Sequence, residues 1–218
     1  MLDSIIRRNP RGGIDLIGST TVIRGSLFQA NGNTLDGSAI AVTQGGSPII
    51  SGNQFVESDG YYAVSLAFST PTVTNNLFLD NRGDGALRVE GPDVQVIANN
   101  TFVDDGNTVS FVRSPGVVFV NNIVTGSNAL SFYLTTPASF LNNNVYPPTY
   151  NGWTDQTGRN GNVSADPLWV STTDLGLVWG SPCIDAGMDA SQYGVVEDLT
   201  GRTRPQGLGY DIGAYESW

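Results

Sequence analysis

Ile97-Ala-Asn-Asn-Thr-Phe102 is one of five copies of a single pattern, and the fold follows from how those copies recur. The others are Ile50-Ser-Gly-Asn-Gln-Phe55, Val73-Thr-Asn-Asn-Leu-Phe78, Phe119-Val-Asn-Asn-Ile-Val124 and Phe140-Leu-Asn-Asn-Asn-Val145. Ile23-Arg-Gly-Ser-Leu-Phe28 is a degenerate earlier copy. The final residues of the six copies lie 27, 23, 24, 22 and 21 positions apart. A recurrence of this length marks a solenoid, in which each repeat buries its apolar face only against its neighbours.

Three columns carry the physics. Ile23, Ile50, Val73, Ile97, Phe119 and Phe140 form one apolar column, and Phe28, Phe55, Phe78, Phe102, Val124 and Val145 form another. Between them stand Asn53, Asn76, Asn100, Asn122 and Asn143, with Ser26 in the first copy. Apolar residues on both sides of a polar bend predict two short strands meeting at a tight turn. Asn tolerates the left-handed backbone of such turns, and stacked Asn side chains can hydrogen-bond along the column. A further strand follows each copy: Ala39-Ile-Ala-Val, Ala63-Val-Ser-Leu, Ala86-Leu-Arg-Val, Thr108-Val-Ser-Phe and Ala129-Leu-Ser-Phe. Its second and fourth residues are apolar and point inward. Three short strands per coil, stacked about 4.8 Å apart, give an all-β parallel β-helix of about six coils. A β-sandwich does not predict one motif repeated in register, and the Leu-rich signature of a leucine-rich repeat is absent.

The periodicity ends near Pro147. The coils are therefore assigned to residues 1–145 and an irregular C-terminal cap to residues 146–218, because a solenoid end exposes apolar surface and open strand edges. That tail holds all four tryptophans, Trp153, Trp169, Trp179 and Trp218, read as packing within the cap rather than as sugar platforms.

Composition narrows the chemistry. The 218 residues carry 10 Arg, no Lys, no His and 20 acids, a net charge of −10. Phosphate-backbone binding needs cations, so nucleic acid and anionic membrane are poor partners. Without His, the Ser-His-Asp triad and His-ligated zinc are excluded. The single Cys183 excludes an internal disulfide and reads as a buried apolar residue. No apolar run is long enough to span a membrane as a helix. Met1-Leu-Asp-Ser-Ile-Ile-Arg-Arg8 lacks a signal-peptide pattern and starts in mid-repeat, which favours a mature or truncated form over a cytoplasmic protein.

These features resemble a known family. The Asn-Asn-x-Phe coils look like right-handed, single-stranded parallel β-helices of the pectate-lyase-like superfamily. The tail is more distinctive: Asn162-Val-Ser-Ala-Asp-Pro-Leu168, Gly180-Ser-Pro-Cys-Ile-Asp-Ala-Gly187, Asp198-Leu-Thr-Gly-Arg-Thr-Arg-Pro205 and Asp211-Ile-Gly-Ala-Tyr-Glu216 follow in the order seen at the end of many secreted or surface bacterial β-helix proteins. The resemblance implies a secreted or cell-surface location and places substrate along the first sheet, the one holding the Ala63 and Ala86 segments. It implies fold rather than activity, since the family spans lyases, hydrolases, epimerases and proteins of no known role.

On that face, Glu57, Asp80 and Asp104 occupy the position two residues after the inward aromatic in three consecutive coils, with Asp59, Asp84 and Asp105 nearby. Such a column would raise its members' pKa values or take a hard cation, and calcium is the cofactor it fits; the same acids also read as solvated turn residues. Arg88, Asp80 and Asp104 are the candidate catalytic residues, by resemblance to the arginine-and-calcium lyases. An Arg base is chemically difficult, and the alternative for Arg88 is a surface ion pair with Glu90. A hydrolase would need two carboxylates about 5–10 Å apart, which Glu57, Asp80, Asp104 and Asp105 could supply, but the family's hydrolases carry a His motif missing here. Glu57, Glu90, Asp105, Tyr61, Tyr62 and Tyr133 are the candidate substrate-binding residues. The leading expectation is an extracellular carbohydrate-interacting protein whose partner is a polysaccharide or cell-surface glycan and which, as an enzyme, would be a lyase or hydrolase acting on acidic glycans along the first sheet. The competing one is a non-catalytic structural or adhesive module that associates with other domains or copies through its N-terminal coil. Ice binding is disfavoured, because Thr72, Thr74, Thr101 and Thr108 form no regular outward array.

Overall fold

The computed structural model describes residues 1–32 and 37–218. It is a right-handed parallel β-solenoid of about six coils, with a single short 3-10 helix, Ser191–Tyr193, among the described residues. The first sheet stacks Ile14–Ser19, Ile40–Gly46, Tyr62–Ala67, Gly85–Glu90, Asn107–Val112, Asn128–Tyr133 and Tyr150–Asn151. The second stacks six three-residue strands from Val22–Arg24 to Ser139–Leu141, and the third stacks seven from Ile5–Arg7 to Asn144–Tyr146. Every pairing between these strands is parallel, as a chain wound in one sense requires.

The two apolar columns form the core. Phe28, Phe55, Phe78 and Phe102 are fully buried and stack ring on ring at 4.9, 4.8 and 4.6 Å. Each such pair adds about 0.5–1.5 kcal/mol beyond its buried area. In the first sheet the second and fourth residues of each segment point inward, and so does the first: Ala39, Ala63, Ala86, Thr108 and Ala129 are all buried. A copy earlier than Ile23–Phe28 is also present. Met1-Leu-Asp-Ser-Ile-Ile6 lies in register with it, Ile6 opposite Phe28, and the Ser4 N–H donates to Ser26 Oγ at 3.1 Å. Its pattern escapes a sequence search because Ser4 replaces the ladder Asn and Ile6 the Phe, as in a degenerate copy.

The paired Asn residues divide their work. The first of each pair takes the left-handed conformation: Asn75, Asn99, Asn121 and Asn142 have φ of 50–54°, and Gly25 and Gly52 fill that position in the earlier coils. The second is the ladder residue. Asn100 shows the pattern: its Oδ1 accepts from the Asn76 backbone N–H and Nδ2, both at 3.0 Å, while its Nδ2 donates to the Val73 carbonyl at 2.9 Å and to Asn122 Oδ1 at 3.1 Å. The ladder runs from Asn53 through Asn76, Asn100, Asn122 and Asn143, and the tail extends it with Asn162.

The tail does two things. Its first part closes the end of the solenoid, where Tyr150–Asn151 joins the first sheet and Trp153 packs on Phe132 and Phe140. The rest folds back along the corner between the second and third sheets. There the side chains of the left-handed Asn residues face outward and donate to tail carbonyls: Asn75 to Glu197, Asn99 to Asp211, Asn121 to Met188 and Asn142 to Ala186, at 2.7–3.0 Å. Apolar tail residues cover the outer faces of the two sheets, Val195 and Tyr210 over Ala98 and Val120, and Cys183 and Ile212 over Ile123. Burial pushes the Cys183 thiol up to about 12, consistent with an inert packing residue. Trp169 packs in the tail as well, whereas Trp179 and Trp218 are exposed, Trp218 beneath the Arg202 guanidinium at 4.8 Å.

Three of the four sequence motifs of the tail, those at 180–187, 198–205 and 211–216, converge on one buried network. Arg204 Nη1 donates to Glu216 Oε2 at 2.7 Å, and both side chains are fully buried. Glu216 Oε1 accepts the Gln206 N–H, Asp198 Oδ2 accepts the Glu216 N–H, and Asp211 Oδ1 accepts the Asp185 N–H. The charges of these motifs are thus spent on folding the tail.

Candidate functional site on the first sheet

The outer face of the first sheet carries two side-chain columns. Strand register aligns Ser65, Arg88, Ser110 and Ser131 in one, and Ala67, Glu90, Val112 and Tyr133 in the other. Arg88 and Glu90 both point outward because they sit two apart on the same strand. Arg88 Nη2 donates to Glu90 Oε2 at 2.8 Å, and the Arg88 guanidinium lies 5.6 Å from the centre of the Tyr61 ring. Burial alone would lower the Arg88 pKa, but the hydrogen bond to Glu90, with Tyr61 adding, outweighs it and the guanidinium is raised. Burial likewise raises Tyr61, against the pull of Arg88. At the opposite margin Tyr133 is 56% exposed, and its ring centre is 5.8 Å from Arg113. Tyr62 is different: it is buried, with its ring edge-on to Tyr61 at 4.9 Å, so it supports Tyr61 rather than meeting solvent.

The acidic column lies one turn away, between the third and first sheets. Glu57, Asp80 and Asp104 follow strands that pair in register, and all three adopt φ of 53–57°. Glu57 and Asp80 keep their places in the stack through their backbones, Glu57 N–H donating to Leu79 O and Asp80 N–H to Val103 O. The side chains have separate partners. Asp80 takes both a 2.6 Å and a 2.7 Å bond from Arg82, and Glu57 accepts from Gln29 Nε2 at 3.1 Å. Shallow hollows of about 290 Å³ open beside these residues. Among the described residues no group of three or more His, Cys, Asp or Glu side chains comes together as a metal site would require. The column therefore stacks its backbones without gathering its three carboxylates.

Asp105, expected to meet substrate, is only 4% exposed. It belongs to a second ladder that sequence reasoning missed. Asn9 Nδ2 donates to Asn31 Oδ1 at 2.9 Å, the Ser58 N–H to Asn81 Oδ1 at 3.1 Å, and Asn81 Nδ2 to Asp105 Oδ1 at 2.7 Å. The signal was present: Asn31, Ser58, Asn81 and Asp105 each stand three residues after an inward Phe. Both corners follow one rule, a left-handed residue and then a short polar side chain turned into the solenoid. The corner after the first sheet repeats it, with Arg113 and Leu134 left-handed and the Ser114 N–H donating to Thr135 Oγ1 at 3.1 Å.

Two charge clusters result. Arg88 is joined to Glu90 on the open sheet, and Asp80 is joined to Arg82 in the turn. A guanidinium whose pKa is raised cannot act as a proton acceptor near neutral pH. It can hold a carboxylate or sugar hydroxyls with the N–H groups that Glu90 leaves free, since a guanidinium has five donors.

No curated protein matches the chain. Residues 1–145 match the family described as the right-handed beta helix region. That span is well over half of the 218 residues, and with the parallel coils, their register and the Asn ladder it shows that the chain belongs to the right-handed β-helix family.

Proposed function

We propose that the protein is a secreted or surface carbohydrate-binding β-helix that holds a polysaccharide along the outer face of its first sheet. The observation that carries this reading is the Arg88–Glu90 pair on an open sheet face, with Tyr61 and Tyr133 at its two margins. Small neighbours on the same columns, Ser65, Ser110, Ser131 and Ala67, let an extended chain approach the sheet closely. Sugar rings offer hydroxyls to the charged pair and C–H faces to the tyrosines. Within this reading Arg88 binds, and Asp80 and Asp104 act as turn residues rather than as acid and base. The net charge of −10 disfavours a highly charged polyanion at long range, so neutral or sparsely acidic glycans rank ahead of polyuronates.

Titration calorimetry against neutral glycans, pectin and alginate, each with and without calcium, tests the proposal. Binding that Arg88→Ala weakens at least tenfold is expected. Absence of binding to every glycan would sink it, and release of unsaturated or reducing-end products would replace binding with catalysis.

A second reading, a structural module, rests on the N-terminal coil. Ile5 and Ile17 are exposed there, on strands that each form the edge of a sheet, and Leu2 is exposed where it bridges Arg24 of a third edge strand. Light scattering across a concentration series distinguishes it, since association that Ile5→Lys abolishes would favour this role.

A further inference from the structure

The second ladder ends on an acid where every other member is neutral. Along it an Asn amide nitrogen donates to a backbone carbonyl one coil back: Asn31 Nδ2 to Ile6 O at 2.7 Å and Asn81 Nδ2 to Phe55 O at 3.0 Å. Ile6 and Phe55 are the register partners of Phe28 and Phe78, which stand three residues before Asn31 and Asn81. Phe102 stands three before Asp105, and its partner is Phe78. The Phe78 carbonyl is therefore the acceptor that the ladder geometry assigns to residue 105.

Asp105 Oδ1 is already engaged, accepting the Asn81 N–H at 2.8 Å and Asn81 Nδ2 at 2.7 Å. Oδ2 is buried and has no hydrogen-bond partner. An ionised Oδ2 would set a negative charge in a buried site where the ladder requires a donor, and burying a charge without a partner is unfavourable. A carboxylic acid has the same shape and carries the donor. We propose that Asp105 is held as a neutral carboxylic acid in the folded protein, its Oδ2–H donating to the Phe78 carbonyl in place of the ladder amide, so that this corner is a pH-sensitive joint between coils.

The surroundings favour the neutral form. Beside Asp105 stands Asp104, and in the preceding coil Asp80, both of which disfavour a further negative charge. Arg82, the cation of this turn, is bound to Asp80. The following coil, residues 123–128, brings no charged side chain. Burial, opposed by the two Asn81 bonds and reinforced by Asp104 and Asp80, raises the carboxyl from its ordinary 3.8 to about 8. Between those values the folded chain keeps a proton that the unfolded chain releases. Stability therefore falls as pH rises through this window and levels off above about 8.

Two measurements test the joint. The first is urea unfolding of the wild type and Asp105→Asn from about pH 4 to about pH 9. Asn supplies the donor at every pH, so the wild-type unfolding constant should rise relative to the variant by as much as tenfold per pH unit inside the window. The second is the ¹³C titration of the Asp105 carboxyl in the wild-type protein, which needs no variant to fold. A midpoint well above the ordinary carboxylate range is expected. A midpoint at or below that range would overturn the proposal, as would parallel pH profiles for the two proteins.

Discussion

A ladder residue such as Asn100 is held by five side-chain hydrogen bonds and cannot be trimmed without orphaning its neighbours. Replacing Asn100 with Ala removes the acceptor for the Asn76 N–H and Nδ2 and the donor to the Val73 carbonyl, all in fully buried surroundings. Each orphaned buried group costs about 1–3 kcal/mol. Asn100→Ala should therefore lower the unfolding free energy by about 3 kcal/mol, seen as a lower urea midpoint with an unchanged slope. The opposite outcome is expected at Leu134, which is left-handed at φ 52° and 69% exposed. Its side chain contributes little packing and its backbone is strained by about 1 kcal/mol. Leu134→Gly should leave stability unchanged or raise it by about 0.5 kcal/mol in thermal melts, the strain relief being partly offset by the greater freedom of the unfolded chain. The division of labour in the Asn pairs was half legible. The ladder column could be read from its recurrence, but which Asn turns inward depends on the left-handed residue preceding it, a backbone property that residue type alone does not assign.

The turns stack as closely as the strands, and glycine makes that possible. A Cβ on Gly83 would lie 1.8 Å from the Gly60 carbonyl oxygen, and one on Gly60 would lie 2.1 Å from the Gly37 carbonyl oxygen. Both obstacles are backbone, so neither can swing aside. Gly83→Ala should cost more than about 3 kcal/mol or prevent folding, because the coils must separate locally. Gly106→Ala, whose nearest obstacle is at 3.1 Å, should be milder. Circular dichroism melts of the two variants would show the difference. At this scale the strands were readable from alternation and the Phe column from spacing. The acidic column was readable as a column too, but not its chemistry. Turn residues in register share a backbone position, whereas their side chains diverge to local partners, Asp80 to Arg82 and Glu57 to Gln29.

The whole molecule is a solenoid flanked by its own tail. The buried Arg204–Glu216 pair and its satellites hold the tail's loops together, while the outward Asn residues fasten them to the coils. Glu216→Ala would leave the Arg204 cation buried and uncompensated, a loss of about 3–5 kcal/mol. Limited proteolysis should then cut within residues 185–218 before the coils, where the wild type resists. Glu216→Gln, which keeps the shape and one acceptor, should fall between the two.

By itself the sequence determined the coil count, the inward columns and the principal ladder, because a repeating unit meets the same neighbours in every turn and so writes the same residues. It also holds two fainter signals: the second ladder three residues after each Phe, and the change from Gly to Asn at the left-handed position where the tail begins to cover the corner. Only the tertiary structure decided the route of the tail, the separation of Arg88 from the acidic turn, and the burial of Asp105. Those depend on contacts between segments far apart in the chain, where no local pattern records which side chain meets which.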